Sequence, residues 1–375
     1  MSAQGRSARA GRMAAVRRRM GELGVEVALV SLGADLPWLC GYEAMPLERL
    51  TMLVLPADSD ATLVVPALEA PRVAADEAAF EMRPWFEHED PVEIVAGLVG
   101  ARTSLAVSDR TWATFVLALQ SRLPAARWRP ASVVTASLRA VKDPFEVAAL
   151  RAAAEAADRV AAALQGGEVG LVGRTEAEAS AELGARLLAE GHSCVNFAIV
   201  GSGPNSASPH HDAGPRRIGV GELVVCDFGG KLALGESEPG YCSDITRTVV
   251  TGELGSEVAE AYAALHRAQS AGVRGALVGR SCSAVDAAAR KVIAEAGHAE
   301  HFIHRTGHGI GLEEHEDPFI VVGNEAALVA GNAFSVEPGI YIPGRWGMRL
   351  EDIVVATEAG PEPLNRAEHG LAVVG

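Results

Sequence analysis

The chain has no run of about 18 apolar residues, the length a transmembrane helix needs, so the sequence offers nothing to span a bilayer. It also lacks a basic stripe. Thirty-three lysines and arginines against 48 acidic residues give a net charge of −15, which disfavours a nucleic-acid partner. The segment Met1–Arg19 is basic but has no apolar h-region, so no secretory signal is read there. Residues 1–11 are expected to be disordered. Cysteines are few and show no paired spacing: Cys40, Cys194, Cys226, Cys242 and Cys282 suggest reduced thiols in a cytoplasmic protein, not a disulfide framework.

What is present is an ordinary globular composition, 49% apolar and 22% charged over 375 residues, enough for two domains with their own cores. Residues 12–24 read as an amphipathic helix and Val25–Val30 as a strand. Strands at Thr51–Leu55, Thr62–Val65 and Ser104–Val107 alternate with helices at Val92–Leu98 and Thr111–Leu123, which is the pattern of an α/β layer domain over 1–136. No cluster in it suits chemistry. A second domain, 137–375, opens with a long helix, Phe145–Leu164, preceded by Asp143 as N-cap and Pro144 in the first turn.

The second domain repeats one order twice. Helices come first, then a histidine-bearing segment, then a pair of strands with two carboxylates. The first half offers His210, Asp227 at the end of the apolar run in the strand Glu222–Gly230, and Asp244 on the strand Tyr241–Val250. The second offers His308, Glu337 at the end of the strand Ala333–Glu337, and Glu351 on a strand Met348–Ile353. The stretch His304–Pro318 holds three histidines, but glycines at 307, 309 and 311 argue against a helical His-x-x-x-His site. Glycine at alternate positions suits an extended segment approached closely by another backbone, so 304–312 is expected to be extended.

An ionised carboxylate at the end of an apolar run is costly unless paired, hydrogen-bonded or metal-bound. Two such halves packed together would gather four carboxylates, which cannot all stay ionised without cations. The donor set is mostly hard oxygen with one imidazole, which favours manganese, with cobalt, iron or zinc as alternatives. Four carboxylates exceed the need of one ion, so two divalent ions are inferred. Such a pair polarises a carbonyl and acidifies water, which is the chemistry of amide hydrolysis. The competing reading makes these carboxylates structural ion pairs with arginines such as Arg247 and Arg349.

Five segments carry a resemblance: Cys226–Gly230, Tyr241–Thr248, Gly307–Glu316, Val336–Tyr341 and Arg349–Asp352. In this order they resemble the signatures of the pita-bread metallopeptidases, within them the Xaa-Pro dipeptidase (prolidase) and Xaa-Pro aminopeptidase branch. The N-terminal part is similar to a creatinase-type domain, and Ser137–Glu146 resembles the usual junction. The resemblance implies a creatinase-type α/β domain followed by a pseudo-two-fold catalytic domain, an α/β (α+β) protein overall. It implies Asp227 on one metal ion, His308 and Glu337 on the other, and Asp244 and Glu351 shared. Glu337 would also be the general base. His210, His304 and His315 would be catalytic, the last two binding the proline side together with Arg349, which could orient a carboxylate. His211 is read as a bystander. The implied activity is hydrolysis of the bond before proline by a cytoplasmic homodimer, on small Xaa-Pro peptides, without nucleic acid or membrane.

One departure from the family pattern is the longer loop Lys231–Gly240, whose Glu236 and Glu238 would bias substrate charge. Alternatives stay open: an aminopeptidase P, a metal-free enzyme on the same fold, a specialised hydrolase or lyase of a small amino-acid derivative, or a binding protein that does no chemistry.

Overall fold

The computed structural model describes residues 3–74, 79–233, 235, 239–253 and 255–375. It divides into two units, 1–139 with 234–239, and 140–233 with 240–375.

The first unit contains α1 (Ala3–Leu23), β1 (Val27–Val30), α2 (Asp35–Cys40), β2 (Met52–Pro56), β3 (Ala61–Pro66), β4 (Phe80–Trp85), α3 (Pro91–Val99), β5 (Ser104–Val107), α4 (Ala113–Arg122), β6 (Arg127–Pro130) and α5 (Ser132–Arg139). Its six strands form one mixed sheet in the order β4-β3-β2-β1-β5-β6. Val27 and Leu29 of β1 meet Val95 and Val99 of α3 and Leu119 of α4 in one apolar layer. Residues 1–2 lie outside the described residues, and helix α1 starts at Ala3 and takes in residues 3–11 of the stretch expected to be disordered. The reason is a buried stripe at Arg9, Met13, Val16 and Met20, which follows helical spacing but begins with a charge. Arg9 is 1% exposed and its guanidinium fills the space a side chain at Gly41 would take. A search for apolar periodicity passes over such a residue.

The second unit runs α6 (Pro144–Gln165), α7 (Glu176–Ala189), β7 (Cys194–Ser202), β8 (Leu223–Leu232), β9 (Tyr241–Cys242), β10 (Ile245–Val250), α8 (Ser256–Gly275), α9 (Cys282–Glu295), β11 (Gly307–Gly309), β12 (Glu316–Ile320), β13 (Ala333–Val336), β14 (Gly339–Ile342), β15 (Trp346–Arg349), β16 (Asp352–Thr357), β17 (Gly360–Pro363) and β18 (Ala372–Val373). Capping boxes start the first two helices, Asp143 with Glu146 and Thr175 with Glu178. Helices α6 and α7 lay Ala157, Val160, Leu183 and Leu187 against Val224, Phe228 and Ile245 of the sheet β18-β10-β8-β7. Helices α8 and α9 lead into the other sheet, β12-β11-β13-β16-β17. The repeated order of the two halves is therefore a repeated architecture: two helices, then a mainly antiparallel sheet.

Two expected strands are broken. Met348–Ile353 is split between β15 and β16, because the strand changes partner: Arg349 pairs with Gly339, and Asp352 pairs with Val336. Between them, Leu350 N–H turns to Pro338 O (3.4 Å) and Glu351 N–H to Thr246 O (3.2 Å). Arg349 and Glu351 therefore do not lie on one continuous strand. Tyr241–Val250 is likewise interrupted at Ser243 and Asp244. The ladder sets Thr246 opposite Asp227, so Asp244 stands diagonally across from Asp227.

Of the stretch 304–312, only Gly307–Gly309 lies in a ladder. A β-carbon at Gly307 would strike Ser335 O of β13, and one at Gly309 would strike Asp317 O of β12. The alternate glycines let β11 lie between two close backbones.

Candidate metal and active site

Asp227 sits on β8, Asp244 just before β10, His308 at the centre of β11, Glu337 just after β13, and Glu351 in the gap between β15 and β16. These five line one cavity of about 460 Å³ together with His210, His304, His315 and Arg349. The walls are completed by Phe197, Ile199, Pro209, Arg305 and Glu314. The structure thus brings together all nine residues singled out from the sequence. Glu236 and Glu238 lie outside the described residues.

His308 shows how the polar groups are aimed. Its Nδ1 lies 3.2 Å from Gly309 O, so the proton belongs on Nδ1 and the lone pair on Nε2. That lone pair faces Glu337 Oε1 at 3.3 Å and Asp244 Oδ2 at 3.7 Å. Burial, and after it the neighbouring His315, holds the imidazole well below its ordinary pKa, so it is neutral. Burial also raises the carboxyls of Asp244 and Glu351 well above their usual range, reinforced by the charge of the other carboxylates.

Arg349 is 2% exposed and nearly saturated. It donates to Thr246 Oγ1 (3.0 Å), Pro209 O (3.2 Å), Tyr341 Oη (2.8 Å) and Asp227 Oδ2 (2.5 Å). Four of the five guanidinium N–H groups are thereby used. The carboxylate it orients is that of Asp227. Tyr341 continues the chain to His304. His304 Nδ1 donates to Arg305 O (2.7 Å), so its Nε2 accepts the Tyr341 hydroxyl at 3.0 Å. Burial, and secondly the charge of Arg349, pushes His304 down to about 3.

Several of these groups left no signal in the sequence. The Thr246 hydroxyl donates to Glu351 Oε2 at 2.7 Å, and the Ser335 hydroxyl donates to Glu337 Oε1 at 3.3 Å while accepting from His308 N. Asp286 of α9 receives both N–H and O–H of Thr306, and Arg290 holds the carbonyls of Phe302 and His304. Such partners stand out only once the fold is known, since nothing about an isolated threonine, serine or tyrosine marks it.

The residues fit divalent cations. Ligand atoms of Asp244, His308 and Glu351, all buried, lie within 4.8 Å of one another. Asp227 Oδ1 is buried and has no hydrogen-bond partner among the described residues. Lone pairs face lone pairs, which a cation satisfies and a proton donor would otherwise have to. The ion-pair reading accounts for one carboxylate only. Arg349 neutralises Asp227, whereas Arg247 pairs with Asp352 at 2.8 Å, outside the ligand set.

Comparison with known proteins agrees with this geometry. Residues 148–358 match the model of metallopeptidase family M24, and residues 12–141 match the creatinase/prolidase N-terminal domain. The chain is 45% identical over 367 residues to a probable dipeptidase PepE of Mycobacterium tuberculosis, covering 97% of this chain and 96% of the relative. It is 34% identical to a Xaa-Pro dipeptidase of Lactobacillus delbrueckii subsp. lactis, covering 94% and 96%. The crystal structure of dipeptidase PepE from Mycobacterium ulcerans superposes with a TM-score of 0.90 at 44% identity, covering 98% of each chain. A buried carboxylate and imidazole cluster on this fold, matched along nearly its whole length, places the chain in metallopeptidase family M24, in its prolidase branch with a creatinase-type N-terminal domain: a dipeptidase-like hydrolase of a family that implies divalent metal ions.

Proposed function

We propose that the chain is a Xaa-Pro dipeptidase that works with two divalent ions, manganese first among manganese, cobalt, zinc and iron. The observation that carries this reading is the convergence of four carboxylates and a neutral, correctly oriented imidazole on one cavity. Asp227 would hold one ion, His308 and Glu337 the other, and Asp244 and Glu351 both. When bound, the ions polarise the scissile carbonyl and acidify the attacking water.

The side chains do the rest. Glu337 takes the water's proton on its carboxylate and returns it to the proline nitrogen, which as a tertiary amide leaves only when protonated. Without cations burial pushes the Glu337 carboxyl up to about 7, and a bound cation would lower it toward the ionised form that accepts the proton. His210 contacts the substrate beside the scissile bond. His304 and His315 line the proline side, and His304, fixed between Arg305 O and Tyr341, serves as a rigid neutral wall. Arg349 would reach a substrate carboxylate through its one unused N–H. Phe197, Ile199 and Pro209 offer an apolar surface to the pyrrolidine ring. A cavity of about 460 Å³ suits a dipeptide.

Support for proline preference comes from the Lactobacillus relative, which is named a Xaa-Pro dipeptidase. We further propose a cytoplasmic homodimer. The five cysteines are free thiols, and no described helix is long and apolar enough to cross a membrane. Light scattering should give twice the 39.0 kDa chain mass; a monomer mass at micromolar concentration would exclude the dimer. The decisive assay is a panel of Xaa-Pro dipeptides, Xaa-Pro tripeptides and dipeptides without proline, with manganese added. Rapid cleavage of the first group alone supports the proposal. A preference for tripeptides makes the protein an aminopeptidase P, and indifference to proline removes the specificity.

A further inference from the structure

One polar side chain at the cavity edge has a support built behind it. His210 is exposed at the cavity edge, and its ring makes no hydrogen bond among the described residues. Its position is therefore set by its neighbours, and both are anchored. On one side, Pro209 O accepts from Arg349. On the other, His211 Nε2 donates to Glu176 Oε2 at 2.8 Å.

Glu176, the first residue of α7, is a completely buried carboxylate for which the peptidase mechanism has no use. Among the described residues no lysine or arginine bonds it. Its oxygens instead collect Ser202 N (2.8 Å), Ser202 Oγ (2.7 Å) and Asn205 Nδ2 (3.2 and 3.1 Å), besides His211. Burial would raise such a carboxyl, but these donors hold it below its ordinary range, so it is ionised. All its partners belong to one segment, 202–211, whose middle is fixed again where Gly347 N–H donates to Ser206 Oγ at 2.7 Å. A buried charge gathered onto one short loop fixes the loop's conformation rather than adding net stability.

We propose that Glu176 and His211 are a positioning pair for His210: the carboxylate grips the loop on the far side of the cavity wall and so sets where the His210 ring stands. The proposal rests on the reading of His210 as the substrate-contacting histidine. Neither partner touches substrate, so their effect must pass through His210.

The test is a double-mutant cycle on the metal-loaded enzyme, read as single-turnover rate and as metal bound per chain. Glu176→Gln keeps the shape but removes the charge, and should lower the rate roughly 10- to 100-fold, the cost of misplacing a group by about 1 Å. Metal content should be unchanged. In a His210→Gln background the same substitution should change the rate less than about twofold, because the route of its effect is gone. Equal effects in both backgrounds, no effect in either, or loss of metal with Glu176→Gln would overturn the proposal. If Glu176→Gln does not fold, His211→Gln, which leaves Ser202 and Asn205 on the carboxylate, decides by the same cycle. The substrate is whichever dipeptide the wild type cleaves fastest. Failure of proline specificity in the panel is thereby separate from failure of the coupling.

Discussion

Thr246 carries no charge, yet its hydroxyl joins the two kinds of charge in the cavity. It donates to Glu351 and accepts from Arg349 Nε. Thr246→Val preserves the shape and leaves both groups buried with a lost partner. Each unsatisfied group costs about 1–3 kcal/mol, so a loss of about 2–6 kcal/mol is expected, seen as a lower urea midpoint at unchanged slope. Asp227 and Glu337 stood out in the sequence because each closes an apolar run, where an unpaired carboxylate is costly; the full set of five proposed ligands came from the family resemblance. Thr246, Ser335 and Tyr341 did not stand out, since a hydroxyl is at home almost anywhere. Asp244→Ala should reduce kcat by at least about 10²-fold, the scale of removing one transition-state stabiliser, with less metal bound per chain in the same sample. Near wild-type turnover with metal present would exclude Asp244 as a shared ligand.

At the scale of elements, the glycines of β11 were the clearest signal and the continuous strands the most misleading. Alternate glycines announced a close approach, and the approach is there on both sides: Ser335 O at Gly307 and Asp317 O at Gly309. Gly309→Ala puts a methyl group against backbone that cannot move without shifting β12, and His308 next to it moves with the strand. Overpacking of this kind typically costs about 1–3 kcal/mol, so a lower Tm and weaker metal retention are expected together. An unchanged Tm would mean that β11 and β12 are looser than their spacing indicates. The strand breaks at Ser243–Asp244 and Leu350–Glu351 had no local signature. The break at Leu350–Glu351 follows from a change of pairing partner that only the tertiary fold decides, whereas Ser243–Asp244 interrupts two strands that both pair with β8. In both places a proposed shared ligand occupies the break, where its backbone is released from the ladder.

For the molecule as a whole, the two halves of the second unit each bring carboxylates to a place where neither half alone would need a cation. The order of elements made that repeat visible, although sequence identity between the halves is negligible. Strand order, and the partners of Arg247 and Arg349, were settled only by the fold. The gathering of Asp227, Asp244, Glu337 and Glu351 into one buried cavity means that the cations should stabilise the fold as well as serve the reaction. A ligand that binds only the folded chain adds RT ln(1 + [L]/Kd), about 2.7 kcal/mol per site at 100 times Kd. Tm should therefore rise with manganese concentration and fall with a chelator. That much is common to many metalloproteins, and a sharper test uses the like charges. Without cations, Glu351 is a buried carboxyl that burial first and then the charges of Glu337 and Asp227 push well above its usual range. Keeping it ionised costs repulsion, and protonating it costs proton uptake. Glu351→Gln removes both costs and retains an oxygen to accept from Thr246. In chelator the variant should melt above the wild type; in manganese the order should reverse, because the variant loses a shared ligand. The measurement is two thermal melts per protein. If Glu351→Gln melts below the wild type in both conditions, the carboxylates are not in mutual repulsion, and the case for cations at this site loses its electrostatic basis.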